Sequence, residues 1–369
     1  MATATMRVDA AIEKLTVSAY TIPTDLPESD GTLAWDKTTL VLVELQGGGA
    51  NGLGYSYADR ATATVIDDLL RHIVVGRDAF AIAAARVAMV ARVRNLGRDG
   101  IAAMAISAVD NALWDLKARL LDVSLVTLLG ACRDEVAVYG SGGFTSYTVQ
   151  QLQAQLAGWV ERGIPRVKMK VGRDPAADPE RVQAARRAIG ERAALFVDAN
   201  GAYHRQQAAR LAERFAAAGV SWFEEPVSSD DLDGLRWLRS CVPHQIDIAA
   251  GEYGYDTQYF RRMLGAEAVD VLQADATRCI GISGFVEAGA LADAFMLPLS
   301  AHCAPSMHAH VGCAVPRLVH LEYFHDHARI EPLLFDGVLT PVGGMLRPDR
   351  TRPGCGLTLK RKDAARYAV

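Results

Sequence analysis

The feature that most constrains the fold is a unit repeated from residue 135 onward, a short β-like run followed by an amphipathic helical segment. The eight runs occupy 135–140, 166–172, 194–200, 221–226, 246–252, 269–275, 296–302 and 320–324. Each interval leaves room for a strand, a helix of about ten to fifteen residues and two loops. Eight such units predict an α/β fold, a closed parallel (β/α)8 TIM-type barrel, because open doubly wound sheets usually have five or six strands.

The first part of the chain has a different pattern. Strand-like segments at 12–20 and 38–45 precede helical patterns at 61–70, 79–93 and 101–120. We therefore predict an N-terminal α+β domain over residues 1–130, a barrel over 131–335, and a C-terminal segment, 336–369, that returns to the first domain. Residues 21–36 and 47–58 are rich in Gly, Pro and Asp, and they are predicted to be mobile loops that close over the barrel mouth.

Composition excludes several classes of protein. Lys and Arg number 39 against 43 Asp and Glu, which gives a net charge of −4, whereas a general polyanion binder needs a basic excess. No apolar run approaches the ~18 residues of a membrane span, and the first fifteen residues lack an apolar signal core. The six cysteines form no CxxC pair. We expect a cytoplasmic globular protein that binds neither nucleic acid nor a membrane.

Acidic side chains end three successive predicted strands. They are Asp198, Glu224 and Glu252, which neighbouring strands of a barrel would bring together. Three converging carboxylates form a hard, all-oxygen site that suits Mg²⁺. The alternative is that each acid caps the helix that follows it. Strand alternation predicts that Glu225 points to the other face and is not a ligand.

Two lysines share one face of the second predicted barrel strand. Lys168 and Lys170 are two residues apart, so both point into the barrel while Met169 packs outward. Two buried ammonium groups lower each other's pKa, which would make one of them a base near neutral pH. The alternative is a surface pair with its own ion-pair partners, but the flanking Val167 and Val171 disfavour it.

An aspartate and a histidine end the sixth and seventh predicted strands. Asp275 ends the sixth run and His302 the seventh, so the carboxylate can fix the imidazole tautomer and orient its second nitrogen. A zinc site formed by His308-x-His310 with Cys303 and Cys313 nearby is rejected because the spacing fits no standard zinc pattern. The glycines of 47–52 satisfy G-x-G-x-x-G, but no helix follows them directly, so we predict a flexible loop rather than a dinucleotide site.

These residues together resemble the enolase superfamily, and within it the mandelate racemase subgroup. The matching motifs are Lys168-x-Lys170, Asp198-Ala-Asn200, Glu224-Glu225-Pro226, Gly251-Glu252, Asp275 with His302, and Glu322 on the last strand. The segment at 105–130 resembles the end of that family's capping domain. The sixth strand end lacks the lysine of the muconate-lactonizing and dipeptide-epimerase subgroup.

The resemblance implies a modified barrel with an N-terminal capping domain and a set of site roles. Asp198, Glu224 and Glu252 would hold Mg²⁺, with Asn200 at the substrate. Lys170 would be the base on one face of the substrate, and the Asp275–His302 pair would act on the other. Lys168 would neighbour the substrate carboxylate or tune Lys170, and Glu322 would be a donor to that carboxylate if it is protonated.

The implied chemistry is removal of the proton α to a carboxylate, through an enediolate. Stabilising the enediolate charge more than the ground state is what accelerates the reaction. Loss of a β-hydroxyl would make the enzyme an acid-sugar dehydratase, which is our first hypothesis. Reprotonation or ring formation would make it a racemase, epimerase or cycloisomerase, which is our second hypothesis. The alternative outside the enzymes is a non-catalytic barrel with a binding or scaffolding role. We expect a small carboxylate substrate and a homo-oligomer.

Overall fold

The computed structural model of the protein describes residues 10–369, so residues 1–9 of the predicted capping domain lie outside the described residues. Among residues 10–369, no helix is both long enough and apolar enough to cross a membrane.

The barrel predicted from the repeat is present. All eight predicted runs overlap a strand, each strand pairs in parallel with the next, and the last closes onto the first. The strands are β4 (Val136–Gly142), β5 (Arg166–Lys170), β6 (Ala194–Asp198), β7 (Val220–Glu224), β8 (Asp247–Ala250), β9 (Val271–Ala274), β10 (Leu299–Ala301) and β11 (Leu318–Phe324).

Helices surround the barrel. Apolar side chains form one layer between the strands and these helices, and a second layer inside the barrel. The helices that follow the eight strands are α6 (Val149–Glu161), α7 (Asp178–Ile189), α8 (Arg205–Ala216), α9 (Leu232–Cys241), α10 (Thr257–Gly265), α11 (Gly281–Ala294), α12 (Pro305–Ala314) and α13 (His325–Leu334). Met169 belongs to the outer layer, as predicted. Tyr139, Phe196 and Trp222 pack together inside the barrel and fill it below the mouth.

The N-terminal region is a three-stranded antiparallel sheet on helices, but its two predicted loops are strands. The elements are β1 (Ile12–Ser29), β2 (Ala34–Gly47), β3 (Ala50–Tyr57), α1 (Ala61–Val65), a π-helical turn (Ile66–Leu70), α2 (Arg71–Val74), α3 (Ile82–Arg92), α4 (Ile101–Leu120) and α5 (Leu125–Leu129). The loop prediction for 21–36 and 47–58 is therefore wrong, although both segments do contact the mouth end of the barrel. Gly31 lies against the backbone oxygens of Val171 and Ala199, and Ser56 Oγ donates to the oxygen of Thr277.

The glycines of β2 and β3 serve close packing and a tight turn rather than flexibility. A Cβ on Gly52 or Gly54 would lie 2.5 Å and 2.2 Å from the backbone of Ala112, because α4 packs directly on β3. Gly48 and Gly49, at φ +57° and +79°, form the turn between β2 and β3. The rejection of a dinucleotide site agrees with this hairpin, since β3 and not a helix follows the glycines.

The C-terminal segment lies across both regions. Its elements are β12 (Phe335–Asp336), β13 (Met345–Leu346), β14 (Thr358–Leu359), α14 (Arg361–Ala364) and a 3-10 turn (Ala365–Tyr367). β13 pairs with β4 of the barrel. The backbone N–H of Val369 donates to Ala19 of β1, and that of Cys355 donates to Asp115 of α4.

Candidate active site at the barrel mouth

Three carboxylates converge at the ends of neighbouring strands. Asp198 and Glu224 are the last residues of β6 and β7 and are paired in register, and Glu252 follows β8 by two residues. All three are buried, and each has a carboxylate oxygen within 4.8 Å of the others. Glu252 Oε2 is buried without a hydrogen-bond partner. This set of hard oxygen donors fits a divalent cation such as Mg²⁺.

The two lysines of β5 contact this acidic cluster. Lys168 Nζ lies 2.7 Å from both carboxylate oxygens of Glu224, 3.2 Å from Asp198 and 2.8 Å from Glu322. Lys170 Nζ lies 2.5 Å from Asp198 Oδ2. Because both side chains are buried and point inward, the structure excludes the surface pair that was the alternative.

The predicted lowering of a lysine pKa is not found. Burial lowers the pKa of Lys170, and so does the charge of Lys168, but the charges of Asp198, Glu252 and Glu224 act together to raise it above its usual range. Glu224 and Glu322 likewise hold the pKa of Lys168 well above its usual range, against the effect of burial. The sequence argument counted the two ammonium groups and not the acids that face them.

A histidine–aspartate pair lies on the other side of the cluster. His302 Nδ1 is 2.8 Å from Asp275 Oδ2, and both side chains are buried. Burial raises the pKa of Asp275, but the hydrogen bond and charge of His302 lower it well below its usual range. Nε2 of His302 faces the acids and lies 3.3 Å from Glu252 Oε2.

Glu322 links the two sides of the site. Its Oε1 lies 2.8 Å from Lys168 Nζ, and its Oε2 lies 3.6 Å from His302 Nε2. Burial raises the pKa of Glu322, but the charges of Lys168 and His302 hold it well below its usual range. In this arrangement Glu322 is an acceptor, so the condition for the predicted donor role is not met.

Glu225 does not point away from the site as alternation predicts. β7 ends at Glu224, and Glu225 has a left-handed φ of +37°, which turns its side chain out of the strand pattern. The side chain is buried, and burial together with Glu252 and Asp198 raises its pKa well above its usual range. It lines a cavity of about 490 Å³ at the mouth together with Asn200.

The sequence argument missed Arg278 and considered Cys303 only for the rejected zinc site. Arg278 lies between acids, with Nη1 3.5 Å from Glu252 Oε1 and Nε 3.7 Å from Asp275 Oδ2. Cys303 Sγ lies 3.3 Å from His302 Nε2 and 3.2 Å from Glu322 Oε2. Their signal was proximity in sequence, since Arg278 follows Asp275 by three residues and Cys303 follows His302 directly.

The two histidines of the rejected zinc motif have no such role. His308 Nε2 accepts from the backbone N–H of Ala276, and Nδ1 lies 2.7 Å from the oxygen of Cys303. Within residues 10–369, no group of three metal-ligating side chains contains His308 or His310.

Family comparisons agree with the fold. The chain matches the model of the mandelate racemase / muconate lactonizing enzyme N-terminal domain over residues 14–130. Residues 151–364 match the model of the enolase C-terminal domain-like family.

Three relatives show how much of the chain the likeness covers. A mandelate racemase/muconate lactonizing enzyme-like protein from Rubrobacter xylanophilus is 56% identical, with a TM-score of 0.95, over 97% of this chain and all of that one. L-talarate/galactarate dehydratase from Salmonella typhimurium, solved with Mg and L-lyxarohydroxamate, is 30% identical, with a TM-score of 0.90. The match covers 100% of this chain and 95% of that one. The 3,6-anhydro-alpha-L-galactonate cycloisomerase of Streptomyces coelicolor is 33% identical over 97% and 99%. The chain belongs to the mandelate racemase/muconate lactonizing enzyme family of the enolase superfamily.

Proposed function

We propose that the protein is a Mg²⁺-dependent acid-sugar dehydratase. It removes the proton α to a substrate carboxylate, passes through an enediolate and expels a β-hydroxyl as water. The observation that carries the proposal is the position of two proton-transfer groups at the two ends of one acidic cluster. Lys170 contacts Asp198, and His302 approaches Glu252.

Asp198, Glu224 and Glu252 are the residues that would hold the cation. When bound, it supplies positive charge that stabilises the developing enediolate and offsets the acids that hold Lys168 and Lys170. Lys168, which Glu322 holds at 2.8 Å, orients the substrate carboxylate.

The division of labour follows from the contacts of each group. Lys170 takes the α-proton from one face of the substrate. His302 protonates the departing hydroxyl from the other face, because Asp275 holds its Nδ1 and leaves Nε2 directed at the acids. An imidazole held in this way can give up a proton at Nε2 and take one back there.

The cavity beside the cluster favours a hydroxylated substrate over an apolar one. Three buried polar atoms among its lining side chains have no hydrogen-bond partner, namely Asn200 Oδ1, Glu225 Oε1 and Tyr259 Oη. Unpaired buried polar groups are costly, and a substrate with hydroxyl groups satisfies them. We assign Asn200 to substrate binding on this basis.

A screen with two readouts tests the proposal. Galactarate, L-talarate and a panel of aldonates are incubated with the protein and Mg²⁺, and water loss is followed as formation of the 2-keto-3-deoxy acid. Exchange of the α-proton in D₂O is measured in parallel. Dehydration of at least one acid supports the proposal, whereas α-proton exchange without water loss for every acid contradicts it.

Cycloisomerisation or racemisation is the second candidate. It is favoured by the presence of both Lys170 and His302, since a transformation that returns the proton needs a group on each face. It is also favoured by the similarity to the Streptomyces cycloisomerase, which covers nearly the whole length of both chains. In the same screen it appears as α-proton exchange with an isomeric product of unchanged mass.

We further propose a cytoplasmic homo-oligomer whose partner is a small carboxylate, with domain limits at residues 130 and 335. The C-terminal contacts with β1 and α4 support the return of residues 336–369 to the capping domain. Light scattering of the purified protein tests the oligomeric state.

A further inference from the structure

A second group of metal-ligating atoms lies at the edge of the site and differs in chemistry from the three acids. Cys303 Sγ is 3.3 Å from His302 Nε2 and 3.2 Å from Glu322 Oε2, and those two atoms are 3.6 Å apart. All three side chains are buried. A tetrahedral zinc ion with ordinary bond lengths separates its ligand atoms by about 3.3–3.6 Å. The three observed separations, 3.2 to 3.6 Å, are therefore similar to those on one face of a zinc tetrahedron.

The surroundings of these atoms also suit a soft or borderline cation. Asp275 accepts from Nδ1 of His302, which is the carboxylate–histidine arrangement that supports zinc-binding imidazoles. Lys168 holds Oε1 of Glu322 and leaves Oε2 directed at Cys303 and His302. Glu252 Oε2 lies 3.3 Å from Nε2 of His302 but belongs to the three-acid cluster, so it adds negative charge beside this group and is not one of its ligands.

We propose that His302, Cys303 and Glu322 form a binding site for Zn²⁺ or a cation of the same class, separate from the three-carboxylate site. Zn²⁺ takes the lone pair of His302 Nε2, one carboxylate oxygen of Glu322 and the sulfur of Cys303, whose thiol proton is released to water. One thiolate and one carboxylate balance the charge of the ion. Mg²⁺ does not compete well there, because sulfur and imidazole are poor ligands for it.

The consequence for activity rests on the proposed function. His302 Nε2 is the atom that would protonate the leaving hydroxyl, and a metal-bound Nε2 has no lone pair with which to accept and return a proton. Zn²⁺ is therefore an inhibitor at saturating Mg²⁺, and a thiol or a zinc-selective chelator restores the rate.

A spectroscopic experiment tests the site without any substrate. The full-length protein, saturated with Mg²⁺, is titrated with Co²⁺, and the thiolate-to-cobalt charge-transfer band in the near ultraviolet is recorded. We expect the band in the wild type and in Cys279→Ser, and its loss in Cys303→Ser. Cys279 is a matched control because it is also buried after a barrel strand, yet its sulfur hydrogen-bonds to the backbone oxygen of Gly281, at 3.9 Å, and belongs to no group of three metal-ligating side chains among residues 10–369.

Several results would overturn the proposal. They are an absent band, a band that persists in Cys303→Ser, one that is lost equally in Cys279→Ser, and one that further Mg²⁺ removes. Should Cys303→Ser fail to fold, anomalous scattering at the zinc edge from wild-type crystals decides. A peak within bonding distance of Cys303 Sγ supports the site, and a peak only among the three acids refutes it.

Inhibition separates this proposal from the proposed function. The rate of each variant in Zn²⁺ is compared with the rate of the same variant without Zn²⁺. Cys303→Ser should raise the Zn²⁺ concentration for half-inhibition roughly tenfold or more, because even the loss of a residue that only contacts a ligand costs about that much metal affinity. If no acid sugar is turned over, the cobalt band still decides whether the site exists.

Discussion

Two adjacent glutamates at the end of β7 have different carboxylate environments although both are buried. Glu224 bonds to Lys168 and to Trp222 Nε1, and it belongs to the three-acid cluster. Glu225 turns into the neighbouring cavity and leaves Oε1 without a partner. The side chain that shares a cation with Asp198 and Glu252 should therefore be Glu224, and Glu225 should influence the cation only through its charge.

Mg²⁺ binding to two matched variants tests that assignment. Glu224→Gln should weaken Mg²⁺ binding roughly tenfold or more, because it removes a ligand charge from the cluster. Glu225→Gln has the same change of charge one residue later and should weaken binding much less. Isothermal titration calorimetry on both proteins gives the comparison, and an equal loss of affinity in the two would show that Glu225 is also a ligand.

His302 and Lys170 should be separable by their readouts. His302→Asn should lower the rate of dehydration by about 10²–10⁴-fold, the usual contribution of a general acid. Lys170 remains in that variant, so exchange of the α-proton of one stereoisomer with D₂O should continue. Asp275→Asn should be nearly as damaging to dehydration, because an amide favours the wrong imidazole tautomer.

Proton NMR in D₂O and a keto-acid assay follow the two reactions side by side. Lys170→Ala is the control, and it should lose both exchange and dehydration. Full dehydration by His302→Asn would mean that another group releases the hydroxyl.

At the scale of elements, the contact between β3 and α4 depends on two glycines. A Cβ at Gly54 would lie 2.2 Å from the nitrogen of Ala112 and 2.4 Å from the oxygen of Ala108, and both are backbone atoms that cannot rotate away. Gly54→Ala should therefore cost about 1–3 kcal/mol or more of unfolding free energy, the range for overpacked cores.

Gly158 provides the control for that substitution. It lies within α6, and a Cβ there meets nothing within 4 Å. Gly158→Ala should be neutral or stabilising by up to about 1 kcal/mol, because alanine is the better helix former. Thermal melting compares the two variants, and equal stability of Gly54→Ala and wild type would refute the packing argument.

The elements also show what could be predicted from sequence. The barrel strands were predictable because each carries its own apolar run, and Asp198, Glu224 and Lys170 were predictable because strand ends converge in any barrel. The cap strands at 21–36 and 47–58 were not, because proline and aspartate in an edge strand, and glycine at a close contact, have the same local signal as they have in a loop. The Glu225 side chain was mispredicted because its left-handed backbone ends the alternation.

At the scale of the whole molecule, buried carboxylates connect the cap to the barrel. Asp115 of α4 accepts from the backbone N–H groups of Leu53 and Cys355, which joins β3 to the C-terminal segment. Glu331 of α13 accepts from Tyr55 Oη in β3 at 2.8 Å and from Ser306 Oγ in α12 at 2.6 Å. Hydrogen bonds to carboxylates that solvent does not reach thus help to fix the position of the cap on the barrel.

The pH dependence of stability should reveal Glu331. Burial raises the pKa of this carboxyl to about 7, against the hydrogen bonds that lower it. The folded protein therefore keeps a proton that the unfolded chain releases near pH 4.5, so stability falls as the pH rises from about 4.5 to 7. That shift corresponds to about 3 kcal/mol for this group.

The Glu331→Gln variant tests this dependence, because its side chain cannot ionise. Between pH 5 and pH 8 it should lose about that much less unfolding free energy than wild type, measured by urea unfolding. All other titrating groups are common to both proteins. An identical loss of stability in the two would therefore show that the pKa of Glu331 does not differ between the folded and the unfolded protein.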